Sequence, residues 1–256
     1  MMIDAHLHLD DSIDGTPFGA AKELDRQIIS AGISKGIVLH LESQGWSLEE
    51  FAEAIAPYKS LKGFVNVHPF NKDAKIQLKK AVINHSFIGL KLHPRLQEFN
   101  IDHKSVYELV RYAGELNIPV LFDAFPDGTH LIQGFSSIKY AELAKLCPET
   151  KFIWAHMGGH YVLDFMMLAK RLPNVYMDTS YSLLYYRDSS VIEDMVYAIR
   201  SMKFNHIFYG SDYPDRSIED SKNSSIKIFK KFGLNDNEIT TIMSTNAQNF
   251  FKWTDL

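Results

Sequence analysis

The chain has 256 residues, 46% hydrophobic and 23% charged, an ordinary globular composition long enough for a large core. Its net charge is −4 and its lysines and arginines are scattered rather than striped, which excludes a phosphate-backbone footprint and leaves nucleic acid outside the expected partners. One cysteine rules out an internal disulfide, and no apolar run is long enough to span a bilayer, so a cytoplasmic protein with no membrane attachment is expected.

The first predicted strand is Ile3-Asp4-Ala5-His6-Leu7-His8-Leu9, in which strict alternation puts Asp4, His6 and His8 on one face. These residues lie so near the start that no removable leader is expected. A polar loop from Asp10 to Pro17 leads to a helix around Ala21 to Ala31, then a strand at Gly36–Leu41 and a helix opened by the capping box Ser47-Leu-Glu-Glu50. Gly63–Val67 reads as a strand, Asp73 to Ile83 as a helix and Phe87–Leu92 as a strand. Ser105-Val-Tyr-Glu108 is a second capping-box pattern, ahead of Val106, Leu109, Val110, Ala113 and Leu116 on one helical face. Further pairs follow: the strand Pro119–Asp123 with a helix near Ser137 to Leu146, and the strand Phe152–His156 with a helix carrying Val162, Phe165, Met166 and Ala169. Val175–Asp178 precedes a helix over Val191 to Met202. His206–Gly210 is the last strand, followed by helices over Ser224 to Phe232 and Asn237 to Phe251.

About eight strand–helix units in a chain near the usual ~250 residues predict a (β/α)8 TIM barrel, an α/β fold. The competing open sheet would be announced by a glycine-rich phosphate loop after the first strand, and none is present. No linker, repeat or low-complexity stretch divides the sequence, so residues 1–256 are expected to form one domain with an extra C-terminal helix.

In such a barrel the chemistry sits at the C-terminal ends of the strands. Here those ends carry His6 and His8, Lys91 and His93, Asp123, His156, Asp178, and Ser211 with Asp212. His40 and His68 end the second and third strands, and Arg95 follows the fourth. Imidazoles and carboxylates in this arrangement suit a divalent cation, which lowers the pKa of bound water from about 15.7 toward 7 and polarises a substrate oxygen. A carboxylate beside that water collects its proton, and an imidazole opposite stabilises charge or protonates a leaving group. Lys91 would neutralise the aspartates or, carbamylated, bridge a second metal. His93 and Arg95 stand where a substrate carboxylate would arrive. Phe18, Phe125, Phe135, Tyr181, Tyr185 and Tyr186 supply aromatic loops that could close over a ligand or simply cover the barrel mouth.

Five segments, Asp4–His8, Gly89–Pro94, Ile153–Gly159, Asn174–Ser180 and Tyr209–Pro214, together resemble the successive signatures of the amidohydrolase superfamily. The match is to its amidohydrolase-related branch, which includes aminocarboxymuconate-semialdehyde decarboxylase-like enzymes and lactonases. The resemblance implies that His6 and His8 are first-strand metal ligands and that Asp212 binds metal and handles the proton of the attacking water. It makes His156 the nearby acid/base or a second-metal ligand. The chain departs from the family at the fifth strand, where Pro119-Val-Leu-Phe-Asp123 has a carboxylate in place of an imidazole. Asp123 is expected to remain a ligand, in a site of harder character for one divalent ion: zinc first, manganese or iron as alternatives, and a metal-free enzyme as a further one.

The expected function is a metal-dependent hydrolase of a small, carboxylate-bearing lactone, amide or ester. Its catalytic residues are His156 and Asp212, its metal ligands His6, His8, Asp123 and Asp212, and its substrate-binding residues Lys91, His93 and Arg95. A non-oxidative decarboxylase using the same site is the alternative, and a non-catalytic binding barrel a second one. The expected partner is a small-molecule substrate, and pairing into a homo-oligomer stays open.

Overall fold

The computed structural model describes residues 1–253. Eight parallel strands follow one another around a barrel in sequence order. They are β1 (Ile3–Leu7), β2 (Lys35–Leu39), β3 (Leu61–Asn66), β4 (Gly89–Leu92), β5 (Val120–Phe122), β6 (Phe152–Trp154), β7 (Val175–Asp178) and β8 (Ile207–Phe208). The seam between β8 and β1 closes through backbone hydrogen bonds, Ala5 N to Tyr209 O at 2.9 Å, Asp212 N to His6 O at 3.0 Å and His8 N to Tyr213 O at 2.7 Å. The predicted (β/α)8 TIM barrel is therefore the observed fold.

The strand residues divide between two apolar layers as period-two alternation requires. Ile3, Ala5, Ile37, Leu39, Phe64, Leu121, Ile153 and Phe208 fill the barrel interior. Val38, Val65, Leu90, Leu92, Val120, Phe122, Phe152, Trp154 and Ile207 face the surrounding helices. Those helices are α1 (Pro17–Ser30), α2 (Leu48–Ile55), α3 (Ala74–His85), α4 (Lys104–Glu115), α5 (Gly128–Ile132), α6 (Ser137–Leu146), α7 (Val162–Ala169), α8 (Ser182–Tyr185), α9 (Val191–Ser201), α10 (Ile218–Lys231), α11 (Asp236–Thr240) and α12 (Asn246–Phe251). A π-helical segment at Thr241–Thr245 joins the last two without a break, so the C-terminal helix expected over Asn237 to Phe251 is continuous and widens by a π-bulge at its middle. Ala247, Phe250 and Trp253 pack with the interior residues and plug the end of the barrel opposite the site. No helix among the described residues is long and apolar enough to cross a membrane.

The capping box at Ser47 forms, with Glu50 returning its carboxylate to the Ser47 amide. The one at Ser105 does not: α4 begins two residues earlier than that cap would set, His103 caps it by accepting from the Ser105 amide, and Glu108 pairs instead with Lys75 and Lys104. The hydrophobic face of α4 is as expected, because capping chemistry shifts a boundary without moving the apolar stripe.

One local departure shapes the site. Between Asp4 and Leu7 the register of β1 against β2 slips by a residue, so three steps on β1 oppose two on β2. This bulge corrects the expectation that Asp4 shares a face with His6 and His8, because the extra residue lets Ala5 and His6 both turn inward and leaves Asp4 on the outer side. There the Oδ1 of Asp4 accepts from the amides of His6 at 3.1 Å and Ser211 at 3.0 Å, pinning the seam. Burial, only partly offset by these bonds, raises its pKa to about 7.

Candidate active site

His6, His8, Lys91, His93, Arg95, Asp123, His156 and Asp212 all line one cavity of about 520 Å³ at the C-terminal mouth of the barrel. At its floor the Nε2 of His6 lies 3.2 Å from Asp212 Oδ1, and the Nε2 of His8 lies 3.7 Å from the same oxygen. These three groups can each present one donor atom with all three within 4.8 Å of one another. The far nitrogens are tied back. His8 Nδ1 donates to Leu39 O at 3.0 Å, and His6 Nδ1 faces Asp178 Oδ2 at 3.0 Å. With Nδ1 committed outward, each ring turns its Nε2 toward the cavity.

Burial pushes His6 down, but the charges of Asp178 and Asp212 outweigh it and raise its pKa to about 9. Burial and the neighbouring His6 charge lower His8 to about 3, which keeps its Nε2 lone pair free at neutral pH. Burial opposes ionisation of Asp212, yet His6, His156 and His8 overcome it and hold the carboxyl far below the usual range. Asp178 is lowered to about 2, against the cost of burial, chiefly by the charge and hydrogen bond of His6.

Beside His6, with the two ring centres 5.0 Å apart, His156 sets its Nε2 3.1 Å from Asp123 Oδ1. His156 Nδ1 meets Ser180 O at 3.0 Å, so both ring nitrogens face oxygen acceptors. This imidazole is delivered by a left-handed turn after β6, with φ of +64° at His156, +51° at Met157, +74° at Gly158 and +56° at Gly159. Only glycine fits the last two positions, because an added Cβ would stand 2.2 Å from the Phe165 ring at Gly158 and 2.5 Å from Pro126 at Gly159. A backbone held in this sparsely populated region marks a conformation imposed by its surroundings.

The second oxygen of Asp123, Oδ2, is buried without a hydrogen-bond partner and lies 3.7 Å from His93 Nδ1. Burial lowers His93 to about 3 despite that carboxylate. Asp123 thus faces His156 and His93, outside the three-donor group of His6, His8 and Asp212. Lys91 points inward between the outward-facing Leu90 and Leu92 and is only 1% exposed. Burial lowers its pKa, opposed by Asp123, Asp212 and Asp178. Arg95 sits at the rim in an ion pair with Asp127, Nε to Oδ2 2.9 Å, and Asp127 also caps α5. The ledge carrying these residues is braced from behind, since Asn66 Nδ2 donates to Lys91 O at 2.8 Å and His93 N donates to Gln97 Oε1 at 2.9 Å.

Gly210 admits this arrangement. A Cβ there would lie 2.7 Å from the Cβ of His6 and 2.9 Å from that of Ser180. Gly210→Ala is expected to cost about 1–3 kcal/mol by overpacking. Urea unfolding checks it, and an unchanged midpoint would mean that the seam has slack.

A family model described as amidohydrolase matches residues 3–253. The chain belongs to the amidohydrolase family. No curated protein matches it. Among solved structures, an uncharacterised TIM-barrel protein from Bordetella bronchiseptica is 16% identical, with 98% of each chain covered and a TM-score of 0.79. A probable 2-pyrone-4,6-dicarboxylic acid hydrolase from Acinetobacter baumannii, with citric acid bound, is 18% identical over 98% of this chain and 99% of its own, with a TM-score of 0.71. The 5-carboxyvanillate decarboxylase of Sphingomonas paucimobilis is 10% identical, covers 99% of both chains and has a TM-score of 0.70. At these identities the likeness is one of fold.

Within this amidohydrolase barrel, Phe125, Tyr181 and Tyr185 form the aromatic wall of the cavity, with the Phe125 and Tyr181 ring centres 4.9 Å apart. Phe135 packs against Tyr140, Tyr161 and Phe165, and Phe18 lies outside the cavity lining. His40 and His68 are satisfied by the backbone, through Trp46 O at 3.1 Å and Gln97 O at 2.8 Å. Sequence reasoning missed Ser180. Its Oγ lies 3.1 Å from His6 Nδ1 and 3.0 Å from His156 Nδ1, and it donates to Asp178 Oδ1. The signal was its spacing of two from Asp178 at the end of a strand.

Proposed function

We propose that the chain is a metal-dependent hydrolase of a small polar lactone, amide or ester that carries a carboxylate. The observation that supports this best is the convergence of His6 Nε2, His8 Nε2 and Asp212 Oδ1, with both imidazoles fixed from behind. Asp123 and Asp178 are buried and the Asp212 side chain is 15% exposed; against these three carboxylates stand one buried lysine, Lys91, and the His6 proton that an ion would displace, so the donor set fits a cation in charge as well as in atom type. Asp123 stands outside that group and would join as a fourth donor by turning its unpartnered Oδ2 from His93 toward the ion. Zinc suits the two imidazoles, and the carboxylates would equally accept manganese or iron. When bound, such an ion supplies Lewis acidity and an acidified water.

The residues divide the remaining work. Asp212, held ionised, takes the proton of the attacking water. His156, packed against the His6 ring, stabilises the developing charge and returns a proton to the leaving group. Lys91, His93 and Arg95 orient the substrate carboxylate, and the aromatic wall excludes water from one side. Arg95→Ala is expected to raise KM about tenfold with little change in kcat, because a rim contact acts alike on bound substrate and transition state. An equal loss in kcat would make Arg95 part of the chemistry.

A panel of carboxylated lactones, amides and esters, assayed with and without chelator, tests the reading. Turnover that chelator abolishes and added zinc or manganese restores is the expected result. Non-oxidative decarboxylation is a second reading, favoured by the decarboxylase among the similar folds. Carbon dioxide released without ring opening would select it. Tight ligand retention with no turnover across the panel would select a binding barrel.

A further inference from the structure

Behind the cavity, Asp178 at the end of β7 is fully buried, and both of its oxygens have partners. Its Oδ1 accepts from the His156 amide at 3.0 Å, from the Ser180 amide at 3.1 Å and from the Ser180 hydroxyl. Its Oδ2 faces His6 Nδ1 at 3.0 Å. We propose that Asp178 is a positioning residue that fixes the tautomer of His6 and, through the same carboxylate, the backbone of His156, so that metal ligand and acid/base group are set by one side chain. This rests on the metal-site reading given above.

The argument is one of donors and acceptors. Three donors converge on Oδ1, so that atom must be an acceptor. Oδ2 then requires a proton on His6 Nδ1, so Nε2 is the nitrogen that gives up its proton and offers its lone pair when a cation binds. An asparagine at 178 would preserve the shape and invert the logic. Its oxygen would have to stay with the three donors, and its amide group would then point N–H at His6 Nδ1. That nitrogen would become the acceptor, the proton would move to Nε2, and the ligand position would be blocked.

The experiment titrates metal-free protein with zinc by chelator competition. Asp178→Asn is expected to weaken zinc binding by about 10- to 100-fold. Asn174→Ala serves as the control. It removes an amide bonded to the carbonyls of Ala144, Cys147 and Thr150, well behind the site, and is expected to leave zinc affinity unchanged. In case D178N fails to fold, nitrogen-15 spectra of the zinc-loaded native protein give an independent readout: His6 should carry its proton on Nδ1 and its metal on Nε2. A D178N protein that binds zinc as tightly as the native chain, or a His6 metallated on Nδ1, overturns the tautomer lock alone. A native protein that takes up neither zinc nor manganese overturns the metal-site reading, and this inference with it.

Discussion

Replacing Asp212 with asparagine is expected to lower turnover by about 10²–10⁴-fold, the range lost when a positioned general base is removed. The change also takes away one of the three converging donors, so stoichiometric metal should be lost at the same time. The barrel should survive it. The backbone of Asp212 still donates to His6 O in the seam, and that bond does not involve the side chain. His8→Ala should give the same loss of metal with the fold intact, since the His8 ring contributes a single hydrogen bond, to Leu39 O. Elemental analysis, steady-state turnover and circular dichroism on the two variants check this. A D212N protein that keeps both metal and rate would remove Asp212 from the chemistry.

Zinc affinity is expected to rise with pH by about tenfold per unit between pH 7 and 9 and to level off above, since one proton must leave for one ion to bind. The proton is that of His6, raised to about 9 by Asp178 and Asp212 against burial, whereas His8, lowered to about 3, is neutral throughout this window and adds no slope. The sign for stability follows from the same group. Its folded pKa lies above the unfolded 6.5, so its stabilisation of the metal-free protein is complete below pH 6.5 and is lost as pH rises through 9. Asp4, raised from 3.8 to about 7, loses its contribution earlier, between those values, so the two windows separate. Bound zinc takes the place of the His6 proton and should flatten the alkaline fall. Melting temperatures of metal-free and zinc-loaded protein from pH 6 to 9.5 check the point. A flat metal-free profile above pH 7 would contradict it.

The strands were legible because each is a run of apolar or β-branched residues between polar loops, and the order of barrel units then put the polar strand ends at one mouth. The cavity lined by His6, His8, His156 and Asp212 follows from that geometry alone. What sequence could not carry was departure from regular backbone. Alternation put Asp4 beside His6, and a single bulged residue moved it to the outer face. The left-handed turn that aims His156 leaves only Gly158 and Gly159 as a trace, and two glycines do not specify which way a preceding imidazole points. Ser180 was missed because it works through Asp178 and the far side of two rings, a contact between residues 174 and 24 positions apart. Asp123 was singled out by its departure from the family's histidine, and its two neighbours, His156 and His93, emerged only from the fold.

The most direct measurement is anomalous diffraction from crystals grown with zinc or manganese, paired with elemental analysis of the same protein. One ion per chain, bound by His6 Nε2, His8 Nε2 and Asp212, is the expected result. Metal-free protein at full turnover, or an ion bound away from these three side chains, would contradict the account.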